Sequence, residues 1–317
     1  MSVFLGIDWG GTYIKAGVVN SKGKILEKTV YSSSLLKEKQ AFISEIKKLK
    51  SKFSKYNIKA VGIGAPGMID VEKGFIYYLP NVPGWENFPL KEILKKELKT
   101  PVFIDNDANV FALAEVRRGA GKGKSRAIFL TLGTGLGGAV IFEGKILEGK
   151  TSAAELGHVP ISADGKECGC GGRGCIETLT GSHYLLQRYK QLKKLKVAPK
   201  EVKEIFDKAK QGEKEALLIW KEFSLHLGKF LAGMINIFNP QIIILGGGVS
   251  GAFCLFKPLL LEAIKKQVMW PNFKGLKLVR AELKDAGIVG AAFLAKEKAE
   301  SEIRNSLEGH RASRYLD

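Results

Sequence analysis

The sequence predicts two α/β domains related by duplication. Three observations lead there. The chain has 317 residues, roughly two domains' worth at about 150 residues each. Apolar β-branched runs alternate with segments of helical spacing. A strand, glycine turn and second strand also recur. Phe4-Leu5-Gly6-Ile7-Asp8-Trp9-Gly10-Gly11 is echoed by Phe129-Leu130-Thr131-Leu132-Gly133-Thr134-Gly135-Leu136-Gly137-Gly138, and Lys22-Gly23-Lys24-Ile25-Leu26 by Glu143-Gly144-Lys145-Ile146-Leu147. Short glycine-rich runs also match by chance, so the echo alone does not establish duplication.

Val3 to Ile7 is the first apolar run, and Asp8-Trp9-Gly10-Gly11-Thr12 follows at once. Strand patterning resumes from Ile14 to Val19, breaks at the Asn20-Ser21-Lys22-Gly23 turn, and continues from Lys24 to Tyr31. Residues 35–56 show helical spacing through Leu35, Phe42, Ile43, Ile46, Leu49 and Phe53. Ile58 to Ile63 reads as a buried strand closed by Gly64-Ala65-Pro66-Gly67, and Leu90 to Leu98 as a short helix. Val102-Phe103-Ile104 runs into Asp105-Asn106-Asp107-Ala108-Asn109, and a helix continues to about Arg118. Beyond the cysteines, 185–195, 201–209 and 214–238 have 3.6-residue apolar spacing. Ile242 to Leu245 is a buried strand ending in Gly246-Gly247-Gly248, and helices are expected near 256–268 and 287–298. Residues 301–317 are polar and aperiodic and read as a flexible tail.

Composition excludes several classes. With 45% hydrophobic and 26% charged residues, neither a disordered nor a collagen-like chain fits. No apolar window reaches the ~18 residues that a membrane helix needs. The segment from Met1 to Asp8 lacks the basic and long apolar parts of a secretion signal, so a cytoplasmic protein is expected. The formal charge of +18 comes mostly from 41 lysines spread over helix surfaces, against nine arginines. That is the pattern of a solvated lysine-rich surface, and no arginine stripe or aromatic-interleaved basic patch points to nucleic acid. Such a surface still attracts anionic nucleotides.

Three glycine turns follow apolar strands: Gly10-Gly11-Thr12, Gly133-Thr134-Gly135 and Gly246-Gly247-Gly248. Turns of this kind bare backbone N–H groups that can hold phosphate oxygens. Each could equally be only a tight turn, and none fits the Rossmann or P-loop pattern. Asp8 beside the first turn would suit a Mg²⁺ that offsets phosphate charge, or a local cap. His158, Cys168, Cys170 and Cys175 form a His-x9-Cys-x-Cys-x4-Cys run amid glycines, a closed tetrahedral zinc set. Cys254 stands apart in an apolar helical context and is expected in a core. Glu155 and Glu177 flank the cluster, where they could accept hydrogen bonds from several hydroxyls of a polyol or serve as cap or ion-pair residues. Asp105 or Asp107 could likewise be no more than an N-cap for the helix beginning near Ala108.

The first turn, Asp105-Asn106-Asp107-Ala108-Asn109, Leu132 to Gly138, Glu155-Leu156-Gly157-His158 with the cysteines and Glu177, Ile244 to Gly248, and Asp285-Ala286-Gly287-Ile288-Val289-Gly290-Ala291-Ala292 occur in order. Together they resemble the ROK sugar kinases over residues 3 to about 295. The resemblance implies an actin-like, hexokinase-type (ribonuclease H-like) fold with a cleft between two α/β domains. Domain one would be 1–118 plus about 286–300, and domain two 119–285 with the zinc loop 155–177. It implies ATP-dependent phosphorylation of a hexose 6-hydroxyl, most simply glucose. N-acetylglucosamine, N-acetylmannosamine and fructose are alternatives, and a sugar-sensing regulator is a more distant one. Asp107 would be the general base. Gly64, Ala65, Asn81, Asn106, Asp107, Glu155, His158 and Glu177 would line the sugar. Asp8, Gly10, Gly11, Thr12, Lys15, Gly133, Thr134, Gly135, Gly247 and Gly248 would line ATP with Mg²⁺. Zinc would be structural, with His158 serving both zinc and sugar, and relatives imply a homo-oligomer, a dimer or a tetramer.

Overall fold

The structure, a computed structural model, describes residues 2–10, 13–32, 38–79, 84–149 and 152–313, with side chains to residue 306. Gly11, Thr12 and Asn81 lie outside the described residues. In chain order the elements are β1 (Val3–Trp9), β2 (Tyr13–Asn20), β3 (Ile25–Ser32), α1 (Lys39–Lys52), β4 (Ile58–Ala65), β5 (Met68–Asp70), β6 (Phe75–Tyr78), α2 (Leu90–Leu98), β7 (Val102–Asn106) and α3 (Asp107–Arg118). Then come β8 (Ala127–Leu132), β9 (Leu136–Phe142), β10 (Lys145–Ile146), α4 (Glu177–Thr180), α5 (Ser182–Lys193), α6 (Val202–Lys210), α7 (Lys214–Phe238), β11 (Ile242–Gly246), α8 (Phe253–Lys265), α9 (Trp270–Phe273), β12 (Lys277–Arg280) and α10 (Ala286–Ser313). Two 3₁₀ turns, Leu156–His158 and Gly248–Ala252, complete the set.

The chain forms two compact units. The first comprises Met1–Lys122, Glu148–Ala153 and Leu283–Asp317, and the second comprises Gly123–Leu147 and Ala154–Glu282. Each unit holds a five-stranded sheet of the same design, in the orders β3-β2-β1-β4-β7 and β10-β9-β8-β11-β12. In both, three antiparallel strands lead into parallel ones. The echoed sequence segments occupy equivalent strands, β1 to β3 in one sheet and β8 to β10 in the other.

Burial follows position in the sheet. Central β1 and β4 are covered on both faces, so they are apolar and buried through Val3–Ile7 and Ala60–Ala65, whereas β3 at the edge alternates between half-buried and exposed residues. Helix α1 turns Phe42, Ile43, Ile46 and Leu49 inward, one face of a 3.6-residue helix. Trp9, at the end of β1, stacks on Phe42 at 4.0 Å and meets Trp85 edge-on at 4.7 Å. That aromatic cluster anchors the strand end from which Asp8 and Gly10 emerge. The second unit has its own core around Trp220, Phe223 and Phe256, with α7 and α8 packed together.

Helix α10 approaches the first sheet backbone to backbone. A Cβ built on Gly6 would lie 2.0 Å from Ile288 O, one on Gly62 would lie 1.8 Å from Ala291 O, and one on Gly290 would lie 1.6 Å from Val110 O. The helix therefore seats against β1, β4 and α3 only because these three positions have no side chain.

Several expectations change. The departure from the first unit comes after Lys122 and the return begins at Leu283, within four residues of the expected 118 and about 286, and Glu148–Ala153 is an additional visit. The segment from 301, read as a flexible tail, continues α10 to Ser313. Cys254 is exposed, because it falls on the outer face of α8 while Phe256 and Leu260 turn inward. Helix α1 begins at Lys39, and residues 33–37 lie outside the described set. The β5–β6 hairpin and the four-residue β12 were not expected. Among the described residues no helix is long and apolar enough to cross a membrane.

Replacing Gly62 with Ala should destabilise the protein by at least about 2 kcal/mol in urea denaturation, because the new methyl meets backbone rather than a yielding side chain. Gly233→Ala, inside α7 with nothing within 4 Å of the added carbon, should instead stabilise by roughly 0.5–1 kcal/mol.

Candidate active site

In the first unit the sheet register lines up four residues across four strands. Lys15 on β2 pairs with Asp8 on β1, Asp8 with Gly64 on β4, and Gly64 with Asp105 on β7. The next row pairs Ala65 with Asn106. Expected residues from three separate motifs thus share the carboxyl ends of adjacent parallel strands, where open α/β sheets bind ligands. Lys15 Nζ lies 4.0 Å from Asp8 Oδ2. Burial raises the Asp8 carboxyl above its ordinary value, Lys15 pulls it down, and the Asp285 charge pushes it up. A Cβ on Gly287 would fall 2.3 Å from Asp8 Cγ, so glycine at the start of α10 leaves room for that carboxylate. Gly10 closes its turn by donating to Tyr13 O at 3.0 Å.

Strand β7 passes directly into α3 at the Asp-Asn-Asp segment. The helix is capped by Asn106, whose Oδ1 accepts from the Ala108 N–H at 2.8 Å and whose Nδ2 donates to Gly67 O at 3.2 Å. Neither Asp105 nor Asp107 is the cap. Asp107 is the first helical residue, half-buried at the sheet edge. Behind it Asp105 is fully buried, and its Oδ1 accepts from the Asn106 N–H at 2.7 Å and from Asn109 Nδ2 at 2.8 Å. Asp105 Oδ2 and Asn109 Oδ1 are buried and have no hydrogen-bond partner among the described residues. Burial pushes the Asp105 carboxyl up to about 6, against the pull of its bonds from Asn109 and Asn106.

In the second unit the two glycine turns lie side by side at the ends of β8 and β11. Gly246 pairs with Thr131, and Gly247 has φ 81° with Leu132 O only 2.3 Å from where a Cβ would stand. The Gly133 N–H donates to Gly135 O at 3.0 Å, and the Ser182 N–H at the head of α5 donates to Gly133 O at 2.8 Å. Thr134 and Gly248 are open to solvent or nearly so.

The cysteine loop folds on its glycines. The Cys168 N–H donates to Gly172 O at 2.8 Å, and the Gly174 N–H to Lys166 O at 2.8 Å. Gly174, at φ 73°, sits where any side chain would strike Ser162 O. The four ligand atoms of His158, Cys168, Cys170 and Cys175 lie within 4.8 Å of one another. Cys170 and Cys175 Sγ are 3.7 Å apart, and Cys168 Sγ is 3.5 Å from His158 Nδ1. A tetrahedron with metal–sulfur bonds of about 2.3 Å has edges of about 3.8 Å, so these four residues fit one such ion. Burial pushes the Cys168 thiol up to about 12, so a bound cation would be what favours its thiolate. Nδ1 faces the cluster, which leaves Nε2 for a substrate. Glu155 is exposed, just after Ala154 in the left-handed region at φ 60°. Glu177 Oε2 accepts from the Leu136 N–H at 3.1 Å, and its Oε1 lies 3.8 Å from His158 Nδ1.

A search of protein families matches the ROK family model over residues 4–298. The chain belongs to the ROK family. It is 40% identical to the glucokinase of Thermotoga maritima, over 93% of this chain and 97% of that protein. Among solved structures, the ROK family glucokinase from Streptomyces griseus in complex with glucose and AMPPNP matches with a TM-score of 0.79 at 32% identity, over 93% of this chain and 100% of that one. The ROK hexokinase from Thermus thermophilus matches with a TM-score of 0.82 at 31% identity, covering 94% and 99%. The fold is that of the ROK hexokinases, in the actin-like class expected from the motifs.

The groups that support the expected site residues left no mark in the sequence. Asn109, the buried state of Asp105 and the bond from Leu136 to Glu177 gave no signal, because each depends on elements distant in the chain or on which of two carboxylates faces inward.

Asp105 yields a pH test. Its folded-state value lies above the ordinary 3.8, so the native state binds this proton more tightly than the unfolded chain. Stability relative to Asp105→Asn should therefore fall as pH rises from about 4 through about 6. Between pH 4 and pH 7.5 the parent should lose about 2 kcal/mol relative to Asp105→Asn in denaturant melts, and the difference should then level off. A gap that is flat with pH would mean the group is not buried as described.

Proposed function

We propose that this ROK protein is a cytoplasmic ATP-dependent hexose 6-kinase whose principal substrate is glucose. Asp107 is the catalytic residue. As the sugar 6-oxygen attacks the γ-phosphorus of ATP, the carboxylate takes the hydroxyl proton. The new O–P bond forms, the bond to the β-phosphate oxygen breaks, and ADP leaves. Phosphoryl transfer asks mainly for positioning and charge neutralisation, which a small set of fixed groups can supply. The observation that carries the reading is that helix capping falls to Asn106, so the cap does not account for Asp107 at the first helical position.

Gly64, Ala65, Asn106, Glu155, His158 and Glu177 bind the sugar hydroxyls in this reading, with Asn81 assigned to the same set by resemblance. Thr134, Gly135, Gly247 and Gly248 present backbone N–H groups to phosphates, with the Lys15 ammonium beside them. Gly10 and Gly133 line the same site and shape its turns, their own N–H groups being bonded to Tyr13 O and Gly135 O, and Gly11 and Thr12 are assigned to the set by resemblance. Asp8 would hold Mg²⁺, an assignment supported by a half-buried carboxylate whose nearest ion-pair partner stands at 4.0 Å. Mg²⁺ supplies charge neutralisation on the β- and γ-phosphates. His158, Cys168, Cys170 and Cys175 would hold Zn²⁺, which supplies a structural cross-link for the loop carrying Glu155 and Glu177. The family resemblance supports a dimer or tetramer.

Asp107→Asn should lower kcat at least about a hundredfold while circular dichroism and metal content stay as in the parent. Near-normal turnover would remove Asp107 from the mechanism. In an ADP-release panel of glucose, mannose, fructose, N-acetylglucosamine and N-acetylmannosamine, glucose should give the highest kcat/KM. Stripping the metal with a strong chelator should raise hydrogen exchange across 155–177 and abolish sugar binding. Unchanged sugar affinity in the metal-free chain would show that the cluster does not shape the pocket.

A further inference from the structure

The carboxylate of Glu177 reaches two places at once. Its Oε2 accepts from the Leu136 N–H at 3.1 Å and would stand 1.9 Å from a Cβ on Gly135, so it occupies the space that glycine leaves in the turn. Its Oε1 lies 3.5 Å from Cys168 Sγ and 3.8 Å from His158 Nδ1. The same stretch of chain is fastened to the turn again through the Ser182 N–H on Gly133 O at 2.8 Å, and a Cβ on Gly181 would meet Thr134 O at 2.5 Å. From the other side, Gly157 packs on Leu136 O, and Leu156 packs on Gly138. The turn Gly133–Leu136 is therefore held between the two ends of the Cys/His loop, and Glu177 is the one side chain among these contacts that hydrogen-bonds it.

We propose that Glu177, beyond any contact with sugar, is a positioning residue for the Gly133–Leu136 turn, so that nucleotide affinity depends on this carboxylate even when no sugar is present. An oxygen fixed on the Leu136 N–H sets the orientation of the peptides just before it, which are those offered to phosphates. Residues whose only task is to bind sugar would leave nucleotide binding alone. The inference rests on the reading of this turn as a phosphate site, and the test separates the two.

Binding of Mg²⁺ with AMP-PNP is measured by calorimetry without sugar, for the parent chain, Glu177→Ala and Glu177→Gln, beside glucose binding without nucleotide. Hydrogen exchange at 133–136 in the parent reports whether the nucleotide protects this turn. The expected result is protection in the parent and a Kd for nucleotide raised about tenfold in Glu177→Ala, the loss of one charged hydrogen bond. Glu177→Gln should recover to within about threefold of the parent, because an amide oxygen still accepts from the Leu136 N–H. Rescue by glutamine separates positioning from a general loss of folding. Protection with an unchanged nucleotide Kd in Glu177→Ala would overturn the coupling and leave Glu177 a sugar ligand only. No protection in the parent would instead overturn the phosphate reading of the turn, and this inference with it.

Discussion

The first unit depends on one steric condition: a helix close enough for its carbonyls to touch the backbone of a sheet. Gly6, Gly62 and Gly290 make the contact, and three strands of consequence follow from it. Helix α10 fixes β1 beside β4, packs along α3, which itself lies on β4 and β7, and brings Gly287 up to Asp8. The row from Lys15 to Asp105 crosses strands that all contact α10. Side chains at the contact would lift the helix by more than an ångström, and interiors packed at crystal density do not absorb such a shift locally.

The second unit solves the same problem differently. Its sheet repeats the first in strand order, and its glycine turns again end apolar strands. Here the 155–177 loop, rich in glycine and cysteine, packs against the turn. Such a loop has too few apolar side chains to make a core of its own. Four ligand atoms at tetrahedral spacing offer a cross-link in place of that core.

Much of this was legible in the residues. The three glycine turns, the capped elbow at Asp105 to Asn109 and the Cys/His spacing are local signals, and local signals survive in one dimension. The echo between β1–β3 and β8–β10 anticipated two sheets of one design because strand–turn–strand units are contiguous. What stayed hidden depends on packing. Strand β12 is four residues long and half charged, too short for a period to show. Cys254 sits among apolar neighbours in sequence, yet lies a quarter-turn or so off the buried stripe of α8. The polar stretch beyond 300 has no apolar stripe to announce a helix, and it extends one that is already nucleated. Which of Asp105 and Asp107 faces inward follows from the hand-over of β7 to α3, and composition is silent on that.

The order in which the polypeptide is made gives the backbone seat of α10 another meaning. Residues 283 onward leave the ribosome after the whole second unit, yet they fill the groove over strands made before it. The amino-terminal sheet must wait, its apolar side uncovered, through the synthesis of the entire second unit. During translation this sheet is finished only after the second unit has been made, and a chain released short of α10 would carry that unsealed groove into the cell.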